Sequence, residues 1–378
     1  MSISRKIAGG ALAAATLAAM LAACGTNASS AGGSTGAVAQ PSAVAKLTGS
    51  IAFNDTQLGK LRDQLKQALA GKDLSTANVA VVVNVTAAYW DAAREGVQKA
   101  ASELNVKARF QEPTQQDISQ QLSIVNTLLS QGITGMSISA IQPSSLSGAV
   151  TSAKSRGTSL MAIDSPLPSF RPTVPLYLGT PNFEAGQKAG QAMKQLLPGG
   201  GDVAIVVGSL TATNATQRIA GFKSVLQGTK VHVFQTYNDN GDANKALDDA
   251  SAAFQADPNL KGFYGVYSYD GPSAGQAVQS AGKSGKVVVV ADDSEPKTLQ
   301  LLNQGAIQAT VLQQPFQQGY LSVYLLTAMK VLGVPATMKI VQPYLDSDGY
   351  TLSSGVGLVT KANLAAYNAK MAAMGVTP

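Results

Sequence analysis

Val79-Ala80-Val81-Val82-Val83-Asn84-Val85 decides the fold class. The run is apolar except for Asn84 near its end, so a strand built from it is buried on both faces, as strands of parallel sheets are. Behind it, Ala92–Leu104 places apolar residues at helical spacing. The pair then recurs down the chain. Further apolar runs stand at Val106–Phe110, Thr134–Ile138, Ser159–Ile163, Val203–Val207, Val231–Phe234, Gly262–Val266, Val287–Val290 and Ala309–Leu312. Helical patterns lie between them at Ile118–Leu129, Ala185–Leu197, Thr216–Leu226, Lys245–Phe254, Ser273–Ala281 and Pro296–Leu302. Buried strands alternating with helices predict an α/β fold of doubly wound parallel sheets.

One segment breaks the rhythm. Ser165-Pro166-Leu167-Pro168-Ser169-Phe170-Arg171-Pro172 and on to Pro175 holds too many prolines for a helix, and the chain is expected to cross there from a first sheet to a second. Two α/β lobes in tandem imply a ligand cleft at the C-terminal ends of their strands. Polar and aromatic residues do gather at those ends. Asn84, Thr86, Tyr89 and Trp90 follow the first run, Gln142 the third and Asp164 the fourth. In the second half stand Asn214 and Arg218, then Asn238 and Asn240, then Tyr267, Tyr269 and Asp270, then Asp292 and Asp293, and finally Gln313-Gln314. Each alone reads equally as a loop or cap residue. Together they offer directional donors, acceptors and flat ring faces, which suits a small, neutral, polyhydroxylated ligand. Trp90 has a second reading, as a core residue of the first helix.

The N-terminus has its own signal. Arg5 and Lys6 precede an uncharged, alanine-rich run from Ile7 to Met20 that ends in Leu21-Ala22-Ala23-Cys24-Gly25. Cys24 is the only cysteine, and the pattern resembles a bacterial lipoprotein signal in which residues 1–23 are removed and the Cys24 thiol is lipidated. The chain is then expected to be exported and membrane-anchored, in the periplasm or on the outer face of the cell membrane. Residues 25–49, rich in Gly, Ser, Ala and Thr, read as a leash. A polar helix near Gln57–Leu69 lies outside the repeat and has no assigned role.

Composition narrows the rest. Cleavage would leave 355 of 378 residues, enough for two cores, and would lower the formal net charge from +6 to +4 as Arg5 and Lys6 leave. Lys and Arg are scattered, which argues against nucleic acid. With one cysteine and one histidine, His232, no zinc site is expected. Gly199-Gly200-Gly201 precedes a strand and reads as a turn, so no phosphate-binding cofactor is expected.

From Asn78 onward the chain resembles a periplasmic sugar-binding protein of the ribose-binding class, the substrate-binding component of an ABC transporter. The resemblance rests on Val81-Val82-Val83 with Tyr89-Trp90 and Glu95-Gly96-Val97-Gln98-Lys99-Ala100, on Asp164, and on Asn182 with Gly186 and Gly190. It continues through Asn214-Ala215-Thr216-Gln217-Arg218-Ile219-Ala220-Gly221-Phe222, Asp270 to Gly275, Asp293, Gln313-Gln314-Pro315 and Leu358-Val359-Thr360-Lys361-Ala362-Asn363. It implies two lobes joined by three crossovers near Gly179, Gln314 and Gln342. The domains are then 1–23 as signal peptide, 24–77 as lipidated Cys, linker and extra helix, 78–179 with 314–342 as the N-terminal lobe, and 180–313 with 343–378 as the C-terminal lobe. The implied sugar contacts are Tyr89, Trp90, Asp164, Asn214, Asp293 and Gln313, with Arg218. The implied partners are a monosaccharide or polyol and an ABC permease, bound by a monomer. Two departures point to an altered ligand. Ser165 stands where the family often has Arg, and Tyr269 where it often has Asn. Arg171 is the candidate to replace that missing cation. The rival readings are a receptor serving a membrane sensor, and an enzyme. Asp292-Asp293 offers little to the latter, because neighbours in an extended segment point opposite ways.

Overall fold

The computed structural model describes residues 47–373. The expected signal sequence, Cys24 and most of the expected leash lie outside the described residues. The first lobe is assembled from β2 (Asn78–Val82), β3 (Lys107–Gln111), β4 (Gly135–Ile138), β5 (Ser159–Ile163), β6 (Tyr177–Gly179) and β12 (Thr351–Ser353). These form one wholly parallel sheet in the order β12-β6-β5-β4-β2-β3. The second lobe holds β7 (Gly201–Val207), β8 (Val231–Asn238), β9 (Gly262–Gly265), β10 (Val288–Asp292), β11 (Ala309–Leu312) and β13 (Gly355–Thr360). Its sheet runs β1-β13-β11-β10-β9-β7-β8, where β1 (Ser50–Phe53) and β13 make the antiparallel pairs.

Although the apolar runs are continuous, the two-residue period of a strand still divides them between two cores. Val79, Val81 and Val83 pack beneath α2 (Tyr89–Leu104) and α10 (Pro315–Val331), whereas Ala80 and Val82 pack on the other face against α3 (Ile118–Ser130) and α4 (Ser147–Ser155). Likewise Val203, Ile205 and Val207 meet α5 (Asn182–Leu196) and α6 (Thr213–Leu226). On the opposite face Ala204 and Val206 meet α7 (Ala243–Ala256) and α8 (Asp270–Ser280), and α9 (Pro296–Gln304) and α12 (Leu364–Ala373) also cover that face. Each lobe has one helix pair in backbone contact through glycine. A Cβ at Gly186 would strike the Arg218 carbonyl and one at Gly221 the Phe183 carbonyl, and Gly96 and Gly319 hold α2 against α10 in the same way.

The crossings between lobes differ in part from expectation. The proline-rich segment does not carry the chain across; it returns to β6 in the first sheet, and the crossing follows Gly179. The second crossing lies at Gln313-Gln314, between β11 and α10. The third is not at Gln342, because α11 (Val334–Val341) and β12 still belong to the first lobe, and the chain passes over at Ser354.

The extra N-terminal helix also has a place. β1 adds an edge strand to the second sheet, Asn54 bonds the Ser353 and Ser354 carbonyls, and α1 (Asp55–Leu69) then packs on the first lobe. Its Leu58, Leu61, Leu65 and Leu69 form one buried stripe, each burial stabilising by about 1.5–3 kcal/mol. Residues 50–69 are therefore a strap that makes a fourth connection beside the third.

Candidate functional site

Asp164 follows β5 and Asp293 follows β10, the same station in each lobe. Both adopt left-handed backbone, with φ of 56° and 69°. Asp tolerates that conformation better than most residues, and a non-glycine residue held there points to a functional constraint. Both carboxyls line a partly open void between the lobes, with about 340 Å³ of non-atom space including some that is open to solvent.

The first-lobe wall carries the aromatic pair. Trp90 is 2% exposed, donates from Nε1 to Asn84 Oδ1 at 3.0 Å, and meets Tyr89 edge-on at 4.7 Å between centroids. It thus belongs to the first-lobe core and also lines the void. Asp164 Oδ2 accepts from Ser139 Oγ at 2.7 Å within its own lobe and from Asn214 Nδ2 at 2.9 Å across the cleft. The Tyr89 backbone N–H makes another cross-lobe bond, donating to Glu295 Oε1 at 3.3 Å, an oxygen that also accepts from Ser268 Oγ.

Arg218 is the cation of the site. Its Nε donates to Asn182 Oδ1 at 2.9 Å, and its Nη1 to Asp292 Oδ2 at 3.0 Å and to the Val266 carbonyl at 3.3 Å. Nη2 is buried with no partner, in a residue that lines the void. The Tyr267 hydroxyl, also of a lining residue, is likewise buried and unpartnered. Asp293 Oδ1 accepts from Gln313 Nε2 at 2.9 Å, while Gln313 Oε1 accepts from Thr180 Oγ1, which ties two crossings together.

Burial dominates the electrostatics. It raises the Asp164 carboxyl, and Arg218, Ser139 and Asn214 oppose that rise. It raises Asp293 well above the ordinary range, with Asp292 adding repulsion against the pull of Arg218. Asp292 is pushed up to about 7 despite its ion pair. Burial works against the Arg218 charge, but Asp292, Asp293 and Asp164 outweigh it, and the guanidinium stays cationic.

Of the residues expected at the site, the structure brings Asn84, Tyr89, Trp90, Asp164, Asn214, Arg218, Tyr269, Asp293 and Gln313 to the void. Three do not reach it. Thr86 is exposed and donates to the Pro113 carbonyl. Gln142 lines a separate surface hollow with Phe170 and Thr211 and bonds Ser144 Oγ. Asp270 is buried beneath the wall, where Oδ2 accepts the Tyr267 N–H at the start of α8. All three have the loop and cap roles that such residues take by default. Arg171 does not supply a cation either, since it clamps the Asp348 and Gly349 carbonyls on the surface with its guanidinium over Tyr350. Tyr267 and Ser268 are lining residues that the resemblance did not single out; position after β9 was the available signal for Tyr267. The lone His232 is exposed on β8, and among the described residues no cluster of His, Cys, Asp or Glu is arranged to hold a metal.

The model of the periplasmic binding protein domain matches residues 79–331. The D-allose-binding periplasmic protein of Escherichia coli K12 is 28% identical over 265 residues, which are 66% of this chain and 85% of that protein. The xylitol-binding protein of Mycolicibacterium smegmatis is 27% identical over 242 residues, 63% of this chain and 68% of that protein. Among solved structures, an ABC transporter solute-binding protein from Burkholderia graminis in complex with D-arabinose is 30% identical, with a TM-score of 0.70, covering 78% of this chain and 99% of that one.

Proposed function

The chain belongs to the periplasmic binding protein domain family, and on that premise we propose that it captures a small neutral sugar or polyol between its lobes for an ABC importer. It is a binding protein and not an enzyme. The observation that carries the reading is the matched pair of left-handed aspartates, Asp164 and Asp293, facing one void with the free Nη2 of Arg218 at its wall. Carboxylates accept from adjacent hydroxyls, the guanidinium donates to a ring or hydroxyl oxygen, and Tyr89 with Trp90 offers ring surface to C–H groups. A ligand that touches both lobes stabilises the closed form over the open one. Relatives named for D-allose, ribose, xylose or arabinose, and xylitol support a pentose, hexose or polyol as the class. Relatives named as ribose and D-apiose import binding proteins favour transport over sensing.

The same reading extends to the N-terminus. Export places the receptor outside the cytoplasm, lipidation of Cys24 holds it at the membrane, and the leash keeps a monomer near its permease. Cys24→Ser should release the protein from the membrane fraction; retention of that variant would refute the anchor.

Trp90, the only tryptophan, provides the direct test of ligand class. Its fluorescence should change saturably on titration with at least one of D-allose, D-ribose, D-xylose, D-arabinose and xylitol. A folded protein that neither changes fluorescence nor gains melting temperature with any of them contradicts the reading.

A further inference from the structure

A second cavity adjoins the first. It holds about 1070 Å³ of non-atom space, some of it open to solvent, and it shares Tyr89, Asp293 and Gln313 with the sugar void. Its character is different. Phe53, Phe316, Tyr367 and Met371 supply rings and a thioether, and Pro296 and Pro315 add further apolar surface. Three of these, Phe53, Tyr367 and Met371, lie outside the segment that matches the family. Phe53 comes from the strap and the other two from α12, so segments at both ends of the chain contribute half of these six apolar residues.

We infer that this cavity is an aglycone subsite, and that the protein binds glycosides carrying an uncharged aryl or alkyl group as well as free sugars. The inference rests on the sugar reading above. Adjacency points to the occupant: Tyr89, Asp293 and Gln313 line both spaces, so an apolar substituent on a sugar held at those side chains comes against the second. The lining selects against anions, because Asp91, Glu95 and Glu295 stand around it and no lysine or arginine does. Two lysines stand against its rings without lining it, Lys370 on Asp55 and over Phe53, and Lys99 over Phe316. An apolar group buried against these rings gains the area-dependent stabilisation that a free sugar leaves unused.

Calorimetric titration separates the two readings. The probes are D-allose, D-ribose, D-xylose and D-arabinose, with the phenyl and octyl glycosides of each in both anomers. At least one glycoside should bind about tenfold or more tightly than its parent sugar, a gain of about 1.4 kcal/mol. Ala92→Trp, which fills the cavity from the half-buried face of α2, and Phe53→Ser, which removes a ring from the strap, should each abolish that gain and leave the parent sugar's affinity within about twofold. Sugars that bind while every glycoside binds more weakly overturn the subsite alone. A gain that survives both substitutions also overturns it. Failure of all sugars and all glycosides to bind removes the sugar reading and this inference with it.

Discussion

Asp164 and Asp293 occupy the same position in the two lobes but not the same surroundings. Asp164 has donors from both sides of the cleft, Ser139 and Asn214. Asp293 has one, Gln313 from a crossing, and a like charge next to it in Asp292. The unpartnered donors lining the void, Arg218 Nη2 and the Tyr267 hydroxyl, also belong to the second lobe. The first lobe thus presents a finished wall, and the second presents polar capacity left for a ligand to complete. Each buried unpaired group costs about 1–3 kcal/mol, which hydroxyls of a bound sugar would offset.

The strongest disruption of this contrast is expected at Arg218. Arg218→Ala leaves Asp292 buried without its cation and should cost about 3–5 kcal/mol in urea unfolding. Pairing Arg218→Met with Asp292→Leu should restore most of that loss. Next come the aspartates themselves. Asp164→Ala and Asp293→Ala should each weaken sugar binding on the order of a hundredfold, since each loses buried hydrogen bonds to the ligand. Their effects on the ligand-free protein should diverge. Asp293→Asn removes a carboxyl that burial and Asp292 oppose, and should raise the melting temperature. Asp164→Asn loses a carboxylate with two donors and should lower it.

The pH dependence sharpens the same contrast. Asp292 and Asp293 hold their protons in the folded state above the ordinary 3.8, Asp292 up to about 7. Groups with raised folded values contribute stability that is complete below the unfolded value and is lost as pH rises through the folded one. The melting temperature of the ligand-free protein should therefore fall between about pH 4 and 8. Asp292→Asn with Asp293→Asn should flatten that slope more than Asp164→Asn does. The smallest effect is expected in the strap. Lys370→Ala removes the partly exposed ion pair with Asp55 that joins α12 to α1, and should cost no more than about 1 kcal/mol.

Much of this was legible in the sequence because buried parallel strands and amphipathic helices carry strong periodic signals. Every strand from β2 to β5 and from β7 to β11 falls on one of the apolar runs of the sequence. α10 was missed for a physical reason: it is buried on nearly all sides between other elements, so its sequence has no polar face to mark a period. β6 and β12 are three residues each, too short for any pattern. That brevity also hid the true third crossing at Ser354. At the site, residue type and position after a strand found most of the lining. They could not separate Asp270, which caps a backbone N–H, from Asp293, which faces the void, because both are aspartates after strands. The difference lies in a backbone angle.

One ligand is expected to be held by both lobes through Asp164 and Asp293. Calorimetric titration of the sugar that binds, into the wild type, Asp164→Ala and Asp293→Ala, tests it most directly. Micromolar or tighter binding to the wild type and a loss on the order of a hundredfold in each variant are expected, although the two aspartates belong to different lobes. Affinity unchanged in either variant would contradict a ligand shared between the lobes.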